Sequence, residues 1–434
     1  MKDLDEELGR RLSLLREQGL YRELRRLDSP QSPHIEIDGE PLLNFSSNDY
    51  LGLANDPQLK QAAIKCIERF GCGSGASPLI CGRLLPHDQL EQTLAAFKRA
   101  EAALCFSSGY AAALGTICAL LDKDDVIVID KLVHACIVDA ARLCRAKLRV
   151  FAHNDLNELQ DILSWADRRY SNASSAPVTV PSRRSQALIV TESVFSMDGD
   201  HAALRELVAL KEKFGAWLMV DEAHATGLYG LDGRGLAEAE GVADRIEIQM
   251  GTLGKALGAS GGYICGSRTL IDFLVNRARS YIFSTAAVPA AAAAAMAGIE
   301  FLKTPVGEQR RTQLWQRVDE ILAAKDRFAN AGSIARARTI STDGSRDSQI
   351  PQRSKSAILP ILIGDENAAL RAASRLREQK IFIPAIRYPT VARGQARLRL
   401  TVTASHSAGD VRQLVTALNL AAPDARSTTD RSYL

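Results

Sequence analysis

Apolar residues along this chain follow two rhythms. Near the N-terminus, Leu4, Leu8, Leu12, Leu15 and Leu20 recur at roughly helical spacing in a charged background, which predicts one helix over residues 2–27. The segment HIEIDGEPLLNF, with its Asp38-Gly39 turn signal, reads as a short β-like stretch. From about residue 88 the pattern changes to short, nearly continuous apolar runs: ALCFS, VIVID, LRVFA, ALIVTE, AWLMVDE, IEIQMGT and GGYICG. Helix-length segments separate most of them. A strand that is apolar at successive positions buries both faces, so these runs predict a mainly parallel sheet covered on both sides. Near residue 285 the rhythm changes again. VPAAAAAAMAGIEFL starts a long alanine-rich helix with Pro289 in its first turn. After it, SAILPILI, IFIPAIR and ARLRLTVT, with helices between and after them, predict a smaller α/β domain.

The expected organisation is an N-terminal helix and arm over 1–50, a large domain over 51–304 and a small C-terminal domain over 305–434. Two polar stretches, 171–186 and 341–356, are expected to be loops, and the tail APDARSTTDRSYL is expected to fray.

Composition narrows the function class. The chain has 434 residues, 46% apolar and 24% charged, the balance of a soluble globular protein with a large core. A net charge of +3 argues against a nucleic-acid-binding surface as its main role. No run of roughly twenty apolar residues predicts a membrane span. The charged, amphipathic N-terminal segment lacks the apolar centre of a signal peptide, so a cytoplasmic enzyme is expected. The eight cysteines form no Cys-x-x-Cys pair and read as reduced, mostly buried thiols, with no metal site.

Ligands of open parallel sheets bind beyond the carboxyl ends of the strands. Several polar residues fall there. Asp221 and Glu222 end one apolar run and His224 follows; Thr252 and Lys255 follow IEIQMG; Glu192 and Ser196 follow ALIVT; His134 follows VIVID. SSGYAA (107–112) comes after ALCF and opens a helix, where Gly109 permits close backbone approach and the helix N-terminus suits an anion. Taken singly, each has a plainer explanation: a cap, a satisfied structural histidine, a solvated lysine, a tight turn. Their joint order is the informative feature. A lysine forms a Schiff base with an aldehyde, a carboxylate keeps a pyridine nitrogen protonated, and a helix N-terminus holds a phosphate. Those are the parts needed for pyridoxal phosphate.

The stretches LNFSSNDYLGL, CFSSGYAA, VTESVFSMDGD, WLMVDEAHATGLYG, GTLGKALGASGGYICG, YIFSTA and AIRYPTVARGQARLRLTVTASH resemble the α-oxoamine synthase family of fold-type I pyridoxal phosphate enzymes. The resemblance runs from about residue 16 to residue 420. It implies a transferase with a large mainly parallel-sheet domain and a smaller C-terminal α/β domain. Lys255 would be the Schiff-base lysine, Asp221 the partner of the pyridinium nitrogen, and His224 and Ser196 hydrogen-bonding contacts to the ring. His134 would stack on the ring, contact substrate and share the catalysis with Lys255 and Asp221, and Ala223 would be the ring's small floor. Gly109, Tyr110 and Thr252 would hold the phosphate, and Ser284 or Thr285 would reach the phosphate of a partner subunit in a homodimer with shared active sites. Asn48 and Arg399 would bind the amino-acid carboxylate, and Arg22 and Thr390 would contact substrate. NFSSNDYLGL, FAHND, VFSMDGD and AIRYPTV most resemble the members that condense L-alanine with pimeloyl-CoA or a pimeloyl-carrier protein, releasing carbon dioxide. The implied activity is that of a biotin-pathway acyltransferase. Siblings use glycine or serine with another acyl-CoA. The segment GSGASPLICGRLLPHDQLE departs from the family pattern at Ala76, Pro78 and Leu85 and borders the acyl-binding region. A dinucleotide-binding module is the alternative from another class, but GCGSGA (71–76) lacks the preceding strand that such a turn requires.

Overall fold

The computed structural model describes residues 2–173, 185–330 and 355–421. Most of the two polar stretches and all of the tail expected to fray lie outside the described residues.

The N-terminal helix is shorter than its leucine spacing suggests. α1 spans Lys2–Glu17, and residues 18–27 are not helical, which corrects the expectation of one helix over 2–27. Gly19 takes φ +65°, its amide bonds Arg16 O, and the Leu20 and Tyr21 amides both turn back to Leu15 O. This left-handed glycine cap satisfies the last carbonyls and ends the helix. Leu20, which fits the helical spacing, is instead buried beyond the cap. β1 (His34–Ile37) and β2 (Glu40–Asn44) form an antiparallel hairpin across Asp38-Gly39, both at positive φ. Ile35 and Ile37 face inward, as the alternation requires.

Contacts divide the chain into two units. One comprises residues 1–50, 197–199 and 312–434; the other comprises 51–196 and 200–311. In the latter, α2 (Pro57–Phe70) and α3 (Leu85–Lys98) precede β3 (Ala102–Phe106), α4 (Gly109–Leu120), β4 (Val126–Asp130), α5 (Ala135–Leu143) and β5 (Lys147–Phe151). β6 (Ala187–Glu192), β7 (Trp217–Asp221), β8 (Ile248–Thr252) and β9 (Gly262–Gly266) complete a seven-stranded sheet of order β3-β9-β8-β7-β6-β4-β5. Only β9 runs against its neighbours, so the sheet is mainly parallel, as expected. Alternate residues of β4 enter different cores. Ile127 and Ile129 pack with Ala112 and Ile117 of α4, whereas Val126 and Val128 pack with Leu159 and Leu207 on the other face. This double burial is why the strands read as unbroken apolar runs. The alanine-rich helix Pro289–Leu302 begins with its proline at the first helical position.

In the other unit, β10 (Ile358–Gly364), β12 (Ala385–Ile386) and β13 (Ala396–Thr401) form an antiparallel sheet of order β10-β13-β12. β11 (Ile381–Phe382) adds parallel to β2. No helix among the described residues is long and apolar enough to cross a membrane.

Candidate active site

The sheet order reverses at β4, with β5 on one side and β6, β7 and β8 in succession on the other. The crevice beyond the carboxyl ends at such a switch point is the default ligand site of an open α/β sheet. Asp130, Glu192, Asp221 and Thr252 are the last residues of β4, β6, β7 and β8.

An anion cradle forms where β3 enters α4. Ser108 Oγ accepts the Ala111 amide at 3.1 Å, and the first helical main-chain bond is Ala112 N to Ser108 O. The Gly109 and Tyr110 amides therefore precede the i→i−4 ladder and lie at the positive end of the helix dipole. Gly262 makes room for this turn, because a Cβ there would sit 2.5 Å from Gly109 N and Ser108 O. Thr252 lies alongside: a Cβ on Gly109 would meet its Cβ at 3.9 Å. Thr252 Oγ1 donates to Gly261 O at 3.0 Å and accepts the Gly254 amide at 3.2 Å. Tyr110 is exposed, with its hydroxyl donating to Asp139 at 2.6 Å, which leaves its backbone for the cradle.

The titratable groups gather at the neighbouring strand ends. Lys255, in the loop between β8 and β9, places Nζ 2.8 Å from Nε2 of the buried His224. Asp221 is buried, and its Oδ1 accepts the Ala223 amide at 2.9 Å. Burial raises the Asp221 pKa, and the charge on Lys255 is the largest opposing influence. Glu192 lies opposite Asp221 in the β6–β7 register and accepts the amide of the buried Ser196 at 3.2 Å. Burial, then the charge on Asp221, push Glu192 up to about 8. Its buried Oε1 makes no well-formed hydrogen bond among the described residues. His134 caps α5, with Nδ1 accepting the Cys136 amide at 3.2 Å, so the ring carries its proton on Nε2. The His134 side chain is exposed, yet the surrounding protein displaces enough water to lower its pKa. Lys255 acts in the same direction and Asp221 against it.

Two expected contributors are near one another elsewhere in this unit. Half-buried Ser284 and exposed Thr285 line a cleft with Ser107, Arg83, His87 and Tyr281. Of the five expected substrate contacts, His134 belongs to this unit and the other four to the other unit. There, Arg399 donates to Asn48 Oδ1 at 3.1 Å and to Thr401 Oγ1 at 3.0 Å, while Arg22 donates to Thr390 Oγ1 at 3.3 Å.

Sequence reasoning leaves Glu222 without chemistry and overlooks Lys98. The structure pairs the two: Lys98 Nζ donates to Glu222 Oε2 and to Arg234 O, and both side chains are buried. Glu222 Oε1 accepts the Ala237 amide at 2.9 Å. No local signal marks Lys98, because a lysine in the last turn of a helix is an ordinary partner for the helix dipole. All eight cysteines are free; four are buried, two are half-buried, and Cys72 and Cys81 are exposed. Among the described residues no His/Cys/Asp/Glu cluster fits a metal ion. The GCGSGA segment follows helix α2 rather than a strand, which leaves the dinucleotide-turn alternative without its structural context.

Residues 40–418 match the model of the family "Aminotransferase class I and II". The chain is 45% identical over 410 residues to an 8-amino-7-oxononanoate synthase of Geotalea daltonii, covering 94% of this chain and 96% of that one. Serine palmitoyltransferase of Sphingomonas wittichii is a structural neighbour, with a TM-score of 0.81 and 28% identity, covering 96% of this chain and 97% of that one. The 8-amino-7-oxononanoate synthase of Francisella tularensis overlays with a TM-score of 0.66 and 28% identity, covering 87% of this chain and 97% of that one.

Proposed function

The chain belongs to the class I and II aminotransferase family, and we propose that it is a pyridoxal phosphate-dependent acyltransferase acting on L-alanine and a pimeloyl thioester. The thioester is pimeloyl-CoA or pimeloyl-acyl carrier protein. The products are 8-amino-7-oxononanoate, carbon dioxide and the free thiol, a step of biotin biosynthesis in the cytoplasm. The observation carrying the chemistry is the Lys255–His224 contact at 2.8 Å, set beside buried Asp221 at the carboxyl edge of the sheet. The choice of substrates rests on the 45% identity to the Geotalea relative across nearly the whole chain. Serine palmitoyltransferase overlays with a higher TM-score, 0.81 against 0.66, but at 28% identity. A fold shared among siblings does not select the amino acid, so the sequence relation decides.

The donor set fits pyridoxal phosphate. Buried Asp221 favours a cationic ring nitrogen, and Glu192 lies opposite it in the β6–β7 register. The Gly109 and Tyr110 amides with Thr252 suit the phosphate, and Lys255 suits the aldehyde. When bound, the cofactor supplies an aldehyde for amine attachment and a protonated ring that takes up negative charge from the amino-acid α-carbon.

This chain's own residues do the rest. Asp221 would hold the ring nitrogen's proton, His224 and Ser196 would hydrogen-bond the cofactor, and the small Ala223 would leave room for it. Lys255 Nζ would hold the aldehyde and, as a free amine, would take the alanine α-proton and return one. His134, with its proton on Nε2, would donate to the acyl carbonyl and polarise it while the thiol leaves. Asn48 and Arg399 bind the alanine carboxylate, and Arg22 and Thr390 contact substrate. In a homodimer, Ser284 or Thr285 serves the phosphate of the partner subunit.

The test incubates purified holoenzyme with L-alanine and pimeloyl-CoA and measures 8-amino-7-oxononanoate by mass spectrometry. Borohydride is expected to fix the cofactor on a peptide containing Lys255, and Lys255→Ala to abolish both the adduct and turnover. Turnover with glycine and acetyl-CoA, and none with alanine and a pimeloyl thioester, overturns the substrate assignment. Arg399→Lys keeps the charge but loses the planar fork, so the KM for alanine is expected to rise about tenfold, with a smaller change in kcat. Steady-state kinetics at varied alanine checks this.

A further inference from the structure

The FAHND and VFSMDGD motifs contain residues that the chemistry above does not use. His153 lies just past β5, between two carboxylates: Nδ1 is 3.0 Å from Asp130 Oδ1, and Nε2 is 2.6 Å from Asp200 Oδ2. With a carboxylate at each nitrogen, both nitrogens donate and the ring is an imidazolium. Asp130 is fully buried at the end of β4, and Asp200 lies in the turn beyond β6.

Each partner holds a loop that carries a site residue. Asp130 also accepts the Leu132 amide at 2.7 Å and the Asn154 amide at 2.9 Å, which fixes the start of the segment leading to His134. Asp200 O accepts the Phe195 amide at 3.0 Å, and Val194 bridges His201, closing the loop that bears Ser196. Asn154 Nδ2 donates to His201 O at 3.0 Å. The His153 ring packs edge-on against Phe195, with centroids 4.4 Å apart, beside Ser196.

We propose that charged His153 is a positioning residue that joins the loops after β4, β5 and β6 and so sets where His134 and Ser196 stand. It touches neither substrate nor cofactor and acts through Asp130 and Asp200. The hydrogen bonds and charges of these two carboxylates outweigh partial burial and hold the imidazolium up to about 10. The folded pKa therefore lies above the unfolded value of about 6.5. The stabilisation is complete below the unfolded value and is lost as the pH rises through about 10, so the clamp is closed at neutral pH.

The proposal rests on the reaction proposed above for its kinetic arm only; the charge on the ring is read without substrate. Histidine-selective ¹⁵N NMR of the full-length protein is expected to show one ring with both nitrogens protonated at pH 8.5, and that signal is expected to be missing in His153→Gln. A neutral His153 at that pH overturns the proposal. His153→Gln is further expected to lower kcat/KM for alanine tenfold or more and to move the visible absorption band of the bound cofactor, with circular dichroism unchanged. If His153→Gln does not fold, Asp200→Asn replaces it, because that side chain is partly exposed. It is expected to lower the His153 pKa and to cost several-fold in kcat/KM with the same spectral change. A folded variant of either kind with wild-type kinetics and spectrum overturns the positioning role.

Discussion

Asp221→Asn is expected to reduce kcat by up to about a thousandfold while leaving the fold in place. The reasoning starts from burial. Asp221 is 5% exposed at the end of β7, where the surrounding protein disfavours a lone negative charge. A cation opposite it is favoured for the same reason, and an opposite charge at contact distance shifts a pKa by about 1–3 units. Each unit corresponds to about 1.4 kcal/mol, so losing the carboxylate removes up to about 4 kcal/mol of preference for the protonated ring that must absorb charge in the transition state. The asparagine amide has the same shape, and its oxygen can still accept the Ala223 amide that Asp221 Oδ1 now accepts at 2.9 Å. The backbone past β7 therefore keeps its path. Product formation under saturating alanine and pimeloyl-CoA gives kcat, and thermal melting with circular dichroism reports the fold. Near-wild-type turnover in a folded Asp221→Asn protein contradicts the role of Asp221. Glu192, opposite Asp221 in the ladder, is a poor substitute, because its own burial disfavours the charged carboxylate that would have to replace Asp221.

Much of this site was legible because its geometry is local. All seven strands of the large sheet were readable from apolar runs; burial on both faces leaves six of them without polar alternation, and only the edge strand β5 exposes Arg149 and Val150. A parallel sheet then puts the residues after each run at one edge, so Glu192, Asp221, Thr252 and Lys255 could be gathered without coordinates. The N-terminal helix was misread because periodicity counts side chains and ignores φ. Leu20 kept the spacing, whereas Gly19 at φ +65° had already ended the helix. Long-range polar pairing was not legible at all. Nothing in the local pattern tells Lys98 that its partner is Glu222, 124 positions away. His153 was visible as a letter in a motif, but its two carboxylates come from different strand ends and meet only when the sheet is assembled.

Removing one member of the Lys98–Glu222 pair should therefore have the largest effect on stability. Lys98→Met is expected to destabilise the protein by about 3–5 kcal/mol, the usual cost of leaving a buried charge without its partner. The side chains of Lys98 and Glu222 are 2% and 0% exposed, so water cannot replace the lost ammonium. The Arg234 carbonyl, which Lys98 also serves, loses this donor as well. For a unit of this size the expected fall in melting temperature is about 6–20 °C. Glu222 lies directly between Asp221 and Ala223, so the loss should reach the site, and the variant should release pyridoxal phosphate more readily on dialysis. The double variant Lys98→Met/Glu222→Gln separates an uncompensated charge from lost packing. It removes both charges and keeps an oxygen for the Ala237 amide, now accepted at 2.9 Å. It should recover most of the melting temperature, because two well-packed neutral groups often match a buried ion pair in stability. Failure of the double variant to recover any stability would trace the cost to the shape of the Lys98 stem rather than to its charge.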